Sequence, residues 1–383
     1  MRSPAWLTDF KSVRNKGILA GVGVALLLAL FVVRHHEMSI SKLTSQSGSN
    51  VAATLEGSKT AATASSTTTS TLSQTTSTSS PTAKKVAVKA IDPAPPSTPP
   101  SVIAARSLDA AGANLLKSSV NIVCVSADSR IPSISGSGVI IDSRGIILTA
   151  AHVAQLFLLQ DYLGSDKVGC LIRTGSPARR AYLAEPIYVS PTWVTANPST
   201  LTSTSPRGTG ENDFALLAIT DTATSTPLPG SYPPVPLATD EPQPQEQVGI
   251  GSYGAQYLTV SELNYSLYPI LVFGSIQDRY TYRTNTIDLV SVIGSAASQE
   301  GSSGGGLIDS SGHLIGTITT SSISGTINTR SLNAITIGHM RRSFEADTGQ
   351  SLDSVLASES LSQLVSNFRN ESKTLGAVIY RNL

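Results

Sequence analysis

Apolar residues along this chain fall into distinct regimes. From Gly17 to Val33 they run without a break (GILAGVGVALLLALFVV). Between residues 41 and 100 large apolar residues become scarce, and Ser, Thr, Ala and then Pro take over. From about Ser101 onward, short apolar runs alternate with Gly, Ser, Asp and Pro. Runs of this kind read as strands closed off by turns. They fall at Asn121–Val125, Gly138–Ile141, Gly145–Thr149, Val168–Arg173, Ala181–Val189 and Phe214–Ile219. Later ones fall at Gln247–Ile250, Leu271–Phe273, Ile287–Ile293, Leu307–Ile308, Leu314–Ile318 and Asn333–Ile337. Many short strands with turn signals between them predict an all-β barrel or sandwich. Helical periodicity is confined to Val153–Leu159 and Asp353–Phe368. In the latter, Val355, Leu356, Leu361, Leu364, Val365 and Phe368 share one face. No internal repeat is visible.

The Gly17–Val33 run is close to the shortest length that spans a bilayer as a helix. Arg2, Lys11, Arg14 and Lys16 precede it, against a single Asp9. A cleaved signal peptide is the rival reading, but the run is long for a signal core and no small-x-small site follows it promptly. An anchor with the basic residues inside places everything after it outside the cytoplasm. Residues 34–100 then cannot bury enough surface to offset the entropy of ordering and read as a disordered stalk. The expected organisation is therefore a cytoplasmic tail (1–16), a transmembrane helix (17–33), a stalk (34–100), an all-β domain (101–345) and a helical extension (346–383). Two inserts, Asn197–Gly210 and Thr222–Gln245, are rich in Pro, Ser, Thr and Gly and read as surface loops.

Composition adds exclusions. The formal net charge is +1 and only 14% of residues are charged, so nothing points to nucleic acid. Two cysteines, Cys124 and Cys170, make no disulfide-rich scaffold and match no zinc spacing.

Three stretches carry chemistry. In Gln299–Leu307, Ser303 stands among Gly301, Gly304, Gly305 and Gly306. Glycines let the backbone turn sharply, which suits a nucleophile flanked by N–H groups aimed at an oxyanion. In Asp142–Val153, an Asp-x-x-Gly turn leads into a strand that ends in small residues and His152. An imidazole there suits the general base a serine needs. In Glu211–Ile219, Asp213 immediately precedes an apolar strand, where it can hold the other ring nitrogen and fix the tautomer. Taken singly, each has a plainer reading: a flexible loop, a structural histidine, a turn residue.

Taken together, Thr-Ala-Ala-His152, Asn-Asp213-Phe-Ala-Leu-Leu and Gly-Ser-Ser303-Gly-Gly, in that order, resemble the chymotrypsin/trypsin-like serine peptidases over roughly residues 101–345. The resemblance implies two perpendicular six-stranded barrels, with His152 and Asp213 from the first and Ser303 from the second. It implies attack by Ser303, proton transfer through His152 oriented by Asp213, and an oxyanion hole made by the N–H groups of Gly301 and Ser303. It places Ala297, Ser298 and Thr319 in the specificity pocket. None is charged, so cleavage after small or medium apolar residues is expected. It also sets Cys124 and Cys170 on neighbouring strands, as a disulfide or as buried thiols. No cofactor or metal is required, and the expected partners are protein or peptide substrates. The anchor, the stalk and the runs Ser135–Asp142 and Gly312–Gly316 resemble the membrane-anchored HtrA-like branch. The remainder after the peptidase region is too short for the PDZ domain that branch often carries. Members of that branch are often trimers, so a homo-oligomer stays open, although nothing here marks a trimer surface.

Departures from the family pattern matter too. Ser302 stands where an Asp or Asn is usual, and Gly306 where a Pro is usual. Ser302 cannot form the buried ion pair of digestive-type zymogens, and Gly306 adds freedom that would leave the oxyanion loop partly misfolded. The alternative function is then an inactive binding or scaffolding module on the same fold.

Overall fold

The computed structural model describes residues 102–203, 210–282, 285–293, 295–321, 326 and 329–383. The expected tail, transmembrane helix and stalk lie outside the described residues. Among the described residues no helix is long and apolar enough to cross a membrane.

The chain enters through a helix the strand pattern does not anticipate, α1 (Val102–Ser118). Strands β1 (Ser119–Ser126), β2 (Ile134–Asp142) and β3 (Ile146–Thr149) follow, then α2 (Ala151–Leu163). Next come β4 (Val168–Thr174), β5 (Arg179–Val189), the short α3 (Pro191–Ala196) and β6 (Ala215–Thr222). These six strands close into a barrel in the order β1-β2-β3-β6-β5-β4. Inward residues Val120, Ile122, Ile140, Ile147, Ile172 and Leu217 form its core. The β2–β3 hairpin turns at Asp142. Its carboxylate accepts Arg144 N–H at 2.8 Å and pairs with the Arg144 guanidinium at 2.7 Å.

The second half contains β7 (Gln247–Ser252), α4 (Val260–Tyr265), β8 (Ile270–Ser275), β9 (Asp278–Tyr280) and β10 (Leu289–Ile293). Strands β11 (Gly306–Ile308), β12 (Leu314–Ser321) and β13 (Ser331–Thr336) complete it. Here the expected second six-stranded barrel is corrected. The strands form one seven-stranded sheet, ordered β8-β7-β11-β12-β13-β10-β9. Its edge strands β8 and β9 follow one another in sequence but do not pair, so the sheet curls into a half-barrel and stays open.

The Pro-rich insert runs over the surface as expected, but it is anchored: Tyr232, Val235 and Ala238 are buried. Every third N–H along it is bonded, Tyr232 to Ser143 O, Val235 to Ile140 O and Ala238 to Leu314 O, each at 2.9 Å. Three residues per turn is the repeat of an extended proline-rich helix, and the prolines between have no N–H to satisfy. The segment ties β2 to β12.

Three helices end the chain: α5 (Ile337–Thr348), α6 (Leu352–Ser358) and α7 (Leu361–Tyr380). The single helix expected over Asp353–Phe368 is split at Ser360. That residue starts α7 with a capping box, its hydroxyl accepting Gln363 N–H and the Gln363 side chain accepting Ser360 N–H. The packing of α7 explains why α2 is buried nearly all round. The barrel covers one side of α2, while Phe368, Leu375 and Ile379 of α7 join the barrel core on the other. Burying each of these side chains stabilises the fold by roughly 2 kcal/mol. At Gly376 a Cβ would lie 2.3 Å from the Leu158 carbonyl oxygen, so only glycine allows this approach.

Cys124 and Cys170 sit directly opposite each other on β1 and β4 and are joined as a disulfide. Both are buried, and 46 residues of sequence separate them. Chain-entropy arguments give such a loop about 4 kcal/mol at most. Replacing both cysteines with serine is expected to lower the unfolding free energy by about 2–4 kcal/mol, read from urea titration. The intact mass of the unreduced protein should also be lower than that of the reduced form by the mass of two hydrogens.

Candidate active site

His152 is the second residue of α2, with a single residue between the start of α2 and the end of β3. Asp213 lies two residues before β6, and β3 pairs with β6 from Thr149↔Ala215 onward. Register therefore brings the helix start and the aspartate to the same end of the barrel. Asp213 Oδ1 accepts the backbone N–H of His152 at 2.9 Å, and Oδ2 lies 2.7 Å from His152 Nδ1. An acceptor on Nδ1 puts the ring proton there and leaves Nε2 with its lone pair free.

A third donor reaches Asp213 from the other sheet. Thr319 Oγ1, on β12, donates to Oδ2 at 2.5 Å. Asp213 and Thr319 are both buried, while the His152 side chain is 27% exposed. Burial pushes the Asp213 carboxyl up, but the charge and hydrogen bonds of His152 and the Thr319 hydroxyl outweigh it and hold it below the usual value. Burial likewise pushes the His152 imidazole down, but the attraction and hydrogen bond of Asp213 win and raise it above the ordinary 6.5.

The Ser303 loop is docked onto the same corner. Ser137, on β2, uses all its polar groups for this. Its N–H donates to Ser303 O at 2.8 Å and its hydroxyl to Gly301 O at 2.7 Å. The same hydroxyl accepts Tyr253 N–H at 2.8 Å, and its carbonyl accepts Thr149 Oγ1 at 2.7 Å. Gly304 has φ +86°. A Cβ there would meet Ser137 O at 2.1 Å and Thr149 Oγ1 at 2.3 Å. The residue after Ser303 thus lies against the strand end that leads into His152. Among the described residues, Ser303 Oγ and His152 Nε2 carry no hydrogen bond. Catalytic hydrogen bonds often tighten only once substrate is bound.

The two N–H groups implied for the oxyanion hole are both open. Gly301 N–H and Ser303 N–H donate to no acceptor among the described residues, whereas the neighbouring Ser302 N–H bonds to Gln299 O at 3.2 Å. Gly301 has φ +88°, a region that favours glycine, and a Cβ there would crowd Tyr253 O and Ala255 N. The preceding carbonyl, Glu300 O, accepts Ala255 N–H at 2.8 Å, which holds that peptide with its N–H side turned the other way. Of the two departures, the expectation for Gly306 is corrected here, while Ser302 forms no ion pair, as expected. Ser302 is buried and its hydroxyl accepts from Ser252 Oγ at 3.1 Å. Gly306 is not a loose hinge but the first residue of β11, paired with Gly251 and Thr317. A Cβ there would meet Leu314 and Val139 at under 3 Å, so it is the packing that demands glycine.

The residues implied for the pocket are placed unevenly. Ala297 is buried in the second sheet's core, and the Thr319 hydroxyl is committed to Asp213. Ser298 is buried, its hydroxyl has no partner, and its carbonyl accepts Arg330 Nη1 at 3.2 Å. Sequence reasoning missed Ser137, Tyr253, Ala255 and Arg330 as neighbours of the site. The Ser-Gly-Ser-Gly run was visible, but which loop it would grip was not. No cluster of side chains that could hold a metal occurs among the described residues.

Residues 136–316 match the trypsin-like peptidase domain family. No curated protein matches the chain. Among solved structures, the active form of the Rv3671c protease from M. tuberculosis is 18% identical, with a TM-score of 0.40, covering 70% of this chain and 96% of that one. The inactive form of the Rv3671c protease is also 18% identical, with a TM-score of 0.37, covering 62% and 92%.

Because the imidazole must be neutral to take a proton, peptide hydrolysis should fall on acidification along a limb centred above pH 6.5. Asp213→Asn should lower kcat roughly ten-thousand-fold and move that limb to lower pH. Thr319→Val, which removes one hydrogen bond to a charged group, should lower kcat about tenfold. A pH series of kcat/KM on all three proteins checks this.

Proposed function

We propose that this chain, whose residues 136–316 match the trypsin-like peptidase domain family, is a serine endopeptidase working through Ser303, His152 and Asp213 on the outer side of a membrane. The observation that carries the residue assignment is the Asp213 carboxylate, bonded to both N–H groups of His152 beside a serine loop with two open amides. Ser303 Oγ attacks the peptide carbonyl as His152 Nε2 takes its proton. The carbonyl oxygen, now negative, is met by the N–H groups of Gly301 and Ser303. Losing one such donor typically costs about 3 kcal/mol of transition-state stabilisation. His152 passes the proton to the leaving amine. A water then repeats the sequence on the acyl-enzyme, releasing the acid and restoring Ser303. Asp213 keeps its charge throughout and stabilises the imidazolium.

The anchor is residues 17–33 and the stalk residues 34–100, so the domain acts on extracytoplasmic protein or peptide substrates in the manner of the HtrA-like branch. Support comes from the uninterrupted apolar run behind a basic N-terminus. Homo-oligomers are compatible with this reading. The alternative, an inactive binding module, has the departures at Ser302 and Gly306 in its favour, and both are accommodated by packing.

Uncharged Ala297, Ser298 and Thr319 favour small or medium apolar side chains before the scissile bond.

A fluorophosphonate should label residues 101–383, and Ser303→Ala should abolish the label. Equal labelling of both would remove the assignment of Ser303. One peptide scaffold carrying Val, Ala, Leu, Asp, Glu, Lys or Arg before the cleaved bond reads the pocket. Preference for Val, Ala or Leu supports the apolar reading, and cleavage only after Asp, Glu, Lys or Arg would defeat it.

A further inference from the structure

A second histidine–carboxylate pair stands behind the first. Asp288, just before β10, is 3% exposed and His339, on α5, is 8% exposed. His339 Nδ1 lies 3.1 Å from Asp288 Oδ1, and its Nε2 lies 3.1 Å from Asn212 Oδ1. Asp288 is itself held from several directions. It accepts Arg342 Nη2 at 2.6 Å, Tyr282 N–H at 2.8 Å and Thr286 Oγ1 at 3.0 Å. The Tyr282 ring packs edge-on against the imidazole, with centroids 5.1 Å apart. The backbone N–H of His339 donates to the Thr336 hydroxyl that caps α5. This ring therefore has one available position.

What it holds is the residue before Asp213. Asn212 has φ +61°, and such residues are uncommon outside glycine. Its side chain is gripped twice, by His339 and by Ser343 Oγ at 2.7 Å. Beyond it, the chain makes a tight turn in which Phe214 N–H bonds to Asn212 O at 2.9 Å. That turn presents Asp213 to the backbone and ring of His152. The grip does not depend on the charge of the imidazole. With Oδ1 toward the ring, both ring nitrogens donate. If the amide turns over, Nδ2 donates to a neutral ring, and the Ser343 hydroxyl serves either orientation.

We propose that His339, fixed by Asp288, is a positioning residue for the reaction: it clamps Asn212 in its left-handed conformation and thereby sets the Asp213 carboxylate against both N–H groups of His152. His339 touches neither substrate nor the reacting atoms. The triad acid is thus located by two elements, directly by Thr319 of β12 and through Asn212 by His339 of α5. The inference rests on the assignment of Asp213 and His152 made above.

The test uses residues 101–383 and reads kcat, KM and, by proton NMR titration, the pKa of the His152 ring, which needs no turnover. His339→Gln should lower kcat at least tenfold with KM within twofold, and should move the His152 pKa down toward 6.5. Asn212→Gly placed in the His339→Gln protein should restore most of kcat and of the pKa, because glycine takes the left-handed conformation without a clamp. A merely structural role for His339 would not be rescued this way. Asn212→Ala, which leaves Asp288 and its partners intact, should reproduce the loss if His339→Gln does not fold. Unchanged kcat and His152 pKa in folded His339→Gln or Asn212→Ala would overturn the proposal, as would failure of Asn212→Gly to rescue. An inactive wild type would instead count against the proposed function, while the NMR titration would still decide the clamp.

Discussion

A carboxylate without water is the constraint around which this structure is arranged. Asp213 is almost fully buried, and an isolated charge there would be costly enough to favour protonation. It stays ionised because three donors converge on its two oxygens, from the backbone and ring of His152 and from Thr319. Two of those donors belong to the first barrel and one to the second sheet. The charge therefore acts as a fastener between halves that share few strand-to-strand bonds. Satisfying it fixes the ring of His152, the start of α2 and the end of β12 at once. Geometry that serves chemistry is here also geometry that stability requires.

The serine loop is held by a different kind of bonding. Ser137 grips Gly301 and Ser303 through their carbonyls, and Ala255 grips Glu300 through its own. With the carbonyls occupied, alternate N–H groups are left facing outward without an acceptor. The loop presents donors because its acceptors are committed elsewhere. On the function proposed above, an oxyanion would complete a set of hydrogen bonds already missing one partner, with little reorganisation as charge develops.

Much of this was legible from residues. The alternation of apolar runs with turn residues marked most of the strands, and each motif stretch marked a place where strand period gives way to small residues. The helix α1 was legible as well, since Leu108 and Leu115 lie seven residues apart with small Ala111 and Gly112 between them. The stronger apolar signal of the strand that follows masks it. What the sequence could not carry was partnership across distance. The resemblance put Thr319 in the specificity pocket, and its bond to Asp213 shows only once β12 pairs with β13 and brings the side chain there. The Pro-rich insert reads as a loop because composition registers missing N–H groups, not where the remaining ones bond. A closed second barrel is what the resemblance implies rather than what the apolar runs show, and β9, only three residues long, is too short to register as a run. Asn212 did offer a signal, since Asn is among the few side chains that tolerate the left-handed region.

The departures at Ser302 and Gly306 show why a motif has to be weighed against its packing. In the digestive-type pattern an acid at the first position forms a buried ion pair, and that pair orders the oxyanion loop. Desolvating both charges costs several kcal/mol per ion before attraction returns any of it. Here Ser302 replaces the acid with a neutral hydroxyl bonded to Ser252, and neutral bonds from Ser137 and Ala255 do the ordering. Each contributes only about 1 kcal/mol net, but none carries a desolvated charge that must find a partner. Gly306 belongs to the same solution, because its missing side chain lets β11 lie against Leu314 and Val139 and carry the loop close to Ser137. A loop ordered by neutral contacts within the folded domain does not wait for a new chain terminus to supply a counter-charge. Its formed state follows from folding itself.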